Sequence, residues 1–82
     1  MDSSTLGGLK QAYYKYSRQI GKWNKQDALI LLEQLRLEPI ANELVKKVVL
    51  ETFEKDSFAG YLRTQAISIR LELMLLREGI KV

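Results

Sequence analysis

The sequence predicts an all-α fold, a compact bundle of four helices with a long C-terminal helix. Apolar residues recur at three- and four-residue spacing through most of the chain, which is the period of a helix lying on a core. Asn24, the single proline Pro39 and Gly79 stand where helices start and stop. The β-branched run from Val48 to Phe53 has no second run to pair with as a strand, and helical spacing begins well before it.

The first helix is expected over residues 6–22, after the Ser3–Ser4–Thr5 cluster, with Gly7 and Gly8 loosening its first turn. Residues 1–5 are expected to be flexible. Leu9, Ala12, Tyr13, Tyr16, Ile20 and Trp23 share an arc of about a quarter turn and are assigned to the core. Lys15, Arg18, Lys22 and Lys25 project from the opposite side, with Tyr14 beside them.

A second helix is expected over residues 25–37. Asn24 is its N-cap and Asp27 the third helical residue, in the pattern of a capping box. Leu29, Leu32 and Leu35 form its inner stripe, broadened by Ile30 and Leu31, and Pro39 forces an end near Leu37. Proline is tolerated at the first position of a helix, so the third helix is expected over 39–54. Ile40, Ala41, Leu44, Val45, Val48, Val49 and Phe53 cover nearly half of its circumference, enough for two neighbours.

The fourth helix is expected over 57–78, capped by Asp56 or Ser57 and stopped by Gly79 with Ile80 behind it. It has two apolar faces. Phe58, Leu62, Ala66, Ile69, Leu73, Leu76 and Ile80 fill about a quarter turn and are assigned to the core. Arg63, Arg70 and Arg77 form a stripe along its border, and Ile67, Leu71 and Met74 lie beyond them. A helix of a monomer needs one apolar face, so the second calls for helix 1 or for an outside partner.

At 82 residues, 46% hydrophobic and 28% charged, the chain reads as one folded domain over 1–82. It contains no cysteine and no histidine, which removes disulfides, thiolate chemistry, the commonest zinc ligands and the commonest general base. Glu33, Glu43 and Glu51 each stand three or four positions from a Lys or Arg, the spacing of solvated intrahelical pairs rather than of an acid–base site, and Glu54 stands beside Lys55. Gly7–Gly8 lacks the spacing of a phosphate loop. No catalytic, cofactor or metal site is therefore expected.

The least interrupted apolar run, Leu71 to Leu76, contains Glu72 and falls far short of a membrane span of roughly 20 residues. The opening residues carry no signal-peptide pattern, so an intracellular location is expected, cytoplasmic or nuclear. The net charge of +3 is segregated: +4 over residues 1–25, −3 over 26–56 and +2 over 57–82. Basic ends around an acidic middle suit either internal pairing or an acidic partner.

Two functional expectations follow. The first is a non-catalytic protein–protein interaction module, an adaptor, regulator or small subunit. It docks or self-associates through the C-terminal helix, using Arg63, Ile67, Arg70, Leu71, Met74 and Arg77. The alternative is a small nucleic-acid-binding regulator using Tyr14, Lys15, Arg18, Lys22 and Lys25, with contact to the backbone rather than to base edges.

Overall fold

The computed structural model describes residues 1–55 and 63–82, and among these all regular structure is helical. Four helices occur in order: α1 (Ser3–Ser17), α2 (Lys25–Leu35), α3 (Pro39–Lys55) and α4 (Arg63–Arg77). Their radius of gyration, 11.7 Å, is close to the value of about 12 Å expected of a compact chain this long. The expected caps at Asp56 or Ser57 and the expected core positions Phe58 and Leu62 lie outside the described residues. As described, α4 has 15 residues, against 15 in α1 and 17 in α3, and its expected start at residue 57 lies outside the described residues.

Local chemistry explains most boundaries. The Asp2 carboxylate accepts the Thr5 amide at 2.8 Å, so α1 begins at Ser3, ahead of the expected start. It also stops at Ser17, well before residue 22. Gly21 adopts a φ of 135°, and carbonyls at the end of α1 are taken by side chains from the start of α4. The Gln65 amide donates to Ser17 and Gln19 oxygens at 3.2 Å, and the Thr64 hydroxyl donates to Gln19 at 3.0 Å. Ile20 consequently lies beyond the helix, 87% exposed, instead of in the core.

The capping box of α2 forms as expected, with the Asn24 side chain on the Asp27 amide at 2.8 Å and the Asp27 carboxylate facing the Asn24 amide. The helix ends at Leu35, because Arg36 takes a left-handed conformation at φ 50°. Pro39 opens α3, and the preceding Glu38 carboxylate accepts the amides of Ala41 at 2.7 Å and Ile40 at 3.2 Å. At the far end of α4, Gly79 is left-handed at φ 79°. Its amide bonds the Leu76 carbonyl at 3.0 Å and the Ile80 amide bonds Leu75 at 2.9 Å, the double closure expected of a Schellman stop.

The most extensive helix pairing joins the first helix to the last. They run antiparallel, with Ser17 and Gln19 at Gln65 and Thr64 and the Met1 amine at Glu78, 3.5 Å away. Packing of α1 on α3 is close as well: a Cβ on Gly8 would lie 2.6 Å from that of Ala41. Gly8 is therefore a contact glycine, whereas Gly7 has open space around it. Leu9, Ala12, Tyr16, Ala28, Leu32, Val45, Val49, Ile67, Leu71 and Leu75 build the core among all four helices.

The two faces of α4 are exchanged relative to expectation. Ile67, Leu71 and Leu75 are fully buried, with Thr64 and Ser68 on the same side, while Ile69, Leu73 and Leu76 face solvent. Buried hydroxyls account for the exchange. Thr64 is satisfied by Gln19, and the Ser68 hydroxyl donates to the Gln65 carbonyl at 2.9 Å, so residues that read as polar sit in the core at little cost. Thr52 in α3 follows the same rule, donating to the Val48 carbonyl at 2.8 Å.

Candidate functional site

The burial pattern redistributes the residues expected to dock a partner. Ile67 and Leu71 are sealed beneath α1 and are not available at the surface. Met74 is half-buried, packed on the core by one side and open on the other. Arg63 lays its guanidinium over the Phe53 ring, 5.0 Å from the centroid, which holds it against α3. Arg70 donates to the Thr52 hydroxyl at 3.2 Å. Arg77, in the last turn of α4, is exposed. The three arginines thus serve as a border, two of them stitching α4 to α3.

Surface apolar area lies elsewhere on the same helix. Ile69, Leu73 and Leu76 are 56%, 50% and 43% exposed and fall within about a sixth of a turn, because their spacings of four and three residues stack them on one stripe. Beside this stripe a groove opens between α3 and α4, lined by Leu44, Lys47, Val48 and Glu51 from α3 and by Arg70, Leu73, Met74 and Arg77 from α4. At the start of α3 a second depression, formed by Pro39, Ile40 and Glu43, shares Leu44 and Lys47 with the groove. Ile40 is exposed, so apolar surface continues from α4 across the groove onto α3. Leu73 and Ile40 belong to the faces that the helical pattern assigns to the core, and their exposure depends on which helix covers which face; Leu44 is half-buried and packs on the core as expected.

The expected basic face of helix 1 is dispersed in sequence position. Lys15 is in the last turn of α1, Arg18 caps it, Lys22 lies in the connection and Lys25 opens α2, so one helix does not present all four. Each is exposed, as is Tyr14, whose ring meets that of Tyr13 edge to face at 5.2 Å between centroids. Ile20 protrudes from the connection between these cations.

Among the described residues the buried tyrosine bonds within the fold. The Tyr16 hydroxyl donates to the Ala28 carbonyl inside the core, and burial raises its pKa well above that of an ordinary tyrosine. Tyr13 is also raised, by desolvation first and by the Glu72 carboxylate second. Among the described residues no three carboxylates converge into a cation site, and no helix is long and apolar enough to cross a membrane. Compared with known proteins, the chain matches no family model, no curated protein and no solved structure.

Proposed function

We propose that this protein is a non-catalytic interaction module, an adaptor, regulator or small subunit, that docks another protein through the exterior of α4. One observation carries the proposal: three branched aliphatic side chains, Ile69, Leu73 and Leu76, stand exposed in a single stripe and adjoin an apolar groove. Isolated exposed apolar residues are ordinary on protein surfaces, but a contiguous patch rimmed by charge is the composition of an interface. The docking residues are then Ile69, Leu73, Leu76, Met74 and Arg77, in place of the buried Ile67 and Leu71. A cysteine-free chain suits a reducing compartment, which favours an intracellular setting.

The test is position-resolved crosslinking in cells of origin. A photoreactive residue at Leu73 should capture a discrete protein that the same residue at Gln11, an exposed site on α1, does not. Leu76→Asp added to the chain with the photoreactive residue at position 73 should remove that protein while the helical circular dichroism stays unchanged. Equal capture from both positions would sink the proposal.

A second reading, contact with nucleic-acid backbone through Tyr14, Lys15, Arg18, Lys22 and Lys25, draws support from the exposure of all five. It predicts micromolar binding of labelled oligonucleotides that weakens steeply with salt and with joint reversal of Arg18 and Lys22. Absence of binding near physiological salt would end it.

A further inference from the structure

We infer that the groove between α3 and α4 receives one amphipathic helix whose apolar stripe is flanked by acidic residues, supplied by a different protein; this inference rests on the docking proposal above. The floor is apolar and discontinuous in sequence, made by Leu44 and Val48 from α3 and by Leu73 and Met74 from α4. Two helices side by side present a trough that complements the ridge of a third, so the natural occupant is a helix rather than an extended strand or a small molecule. From Ile40 to Glu51 α3 runs about 16 Å at roughly 1.5 Å per residue, space for about three turns of ligand. Such a ligand reaches the floor with anchors at positions i, i+3 or i+4, and i+7.

Charge selects the kind of helix. The groove lining holds three cations, Lys47, Arg70 and Arg77, and one carboxylate, Glu51, with a second carboxylate, Glu43, in the adjoining depression. Arg70 is already engaged, donating to Thr52, so the selection rests on Lys47 and Arg77. Lys47 stands on the α3 wall and Arg77 on the α4 wall, so carboxylates on both flanks of the ligand stripe find a partner. The same distribution disfavours a second copy of this chain. A two-fold dimer sets the patch against itself, which brings the basic rims formed by Lys47 and Arg77 of the two protomers into one interface.

The deciding experiment is selection from a displayed library of 20-residue helices, apolar at i, i+3, i+4 and i+7 and randomised elsewhere, against the immobilised full chain. Recovered helices should carry Asp or Glu on both sides of the apolar stripe. Synthesised as peptides, they should lose at least tenfold in affinity against Leu73→Asp, and Lys47→Glu with Arg77→Glu should turn the preference toward Lys- and Arg-flanked helices. Circular dichroism of each variant establishes that it is folded. Neutral or basic helices that still depend on Leu73 would overturn the acidic partner and leave the docking proposal standing. Helices indifferent to Leu73→Asp, or no enriched helix at all, would overturn the groove. A dimer in sedimentation equilibrium that Leu73→Asp dissolves would overturn the heterologous occupant.

Discussion

The Thr5 hydroxyl donates to the Glu38 carboxylate at 2.9 Å, and the same oxygen accepts the Ala41 amide at 2.7 Å. One carboxylate therefore caps α3 and ties it to α1. Glu38→Ala should cost about 1–2 kcal/mol, the usual worth of an N-cap. Thr5→Val should cost less by itself, and a double-mutant cycle in urea should show coupling of about 1 kcal/mol. Strict additivity of the two would mean that the hydroxyl contributes nothing to the cap.

The paired glycines of α1 should respond oppositely to alanine. Gly7 has nothing within 4 Å of a new Cβ, so Gly7→Ala should stabilise by about 0.5–1 kcal/mol through helix propensity. Gly8→Ala places a methyl 2.6 Å from the Ala41 Cβ and should destabilise by about 1–3 kcal/mol, because helix backbones must separate to admit it. Thermal melts of the two single variants give both signs in one comparison.

Alkaline pH should weaken the fold through Tyr16. Burial raises its folded value above the ordinary 10.0, so the folded state prefers the neutral phenol. The unfolded chain then releases the proton first. This contribution is fully present below about pH 10, and it declines as pH rises beyond the unfolded value toward the folded one. Tyr13, raised in the same direction, adds to the decline. Tyr16→Phe should cost about 1 kcal/mol at neutral pH from the lost bond to Ala28, yet show a shallower fall of urea midpoint between pH 9 and 11. Parallel profiles for the two proteins would refute the assignment.

Neighbouring leucines of α4 should separate folding from docking. Leu71→Asp buries an unpaired charge and should cost about 4 kcal/mol or more, enough to unfold most of the population. Leu73→Asp changes a half-exposed site and should move stability by less than about 1 kcal/mol. Urea titration followed by circular dichroism distinguishes them. A well-folded Leu71→Asp protein would contradict the burial of that face.

Local signals were legible in the sequence and distant ones were not. Asn24 with Asp27, Pro39 and Gly79 act through bonds within a few residues, so their letters announce them, and all three occur as expected. The helical fold class follows from the same local period. The core face of α4 was misread because Thr64 and Ser68 count as polar by residue type, although their hydroxyls are satisfied by Gln19 and Gln65. Counting apolar letters favoured the stripe with Ile69, Leu73 and Leu76, which the fold leaves outside. Gly8 could not be told from Gly7, since the residue it makes room for, Ala41, is remote in sequence. The end of α1 was equally hidden, as its carbonyl partners come from the far end of the chain. Misplacement of the docking residues on α4 follows from that exchange, whereas the basic face of helix 1 is dispersed by the early end of α1.

The antiparallel clasp of α1 against α4 also shapes how the protein is made. Bonds from Gln65 to Ser17 close a loop of 48 residues, longer than those that bring Tyr16 to Ala28 and Thr5 to Glu38, and the most extensive packing of α1 depends on it. Such long-range closure slows folding relative to helical proteins built from neighbouring pairs. During synthesis α2 and α3 can cover only part of the inner side of α1, and the core is completed once α4 has left the ribosome.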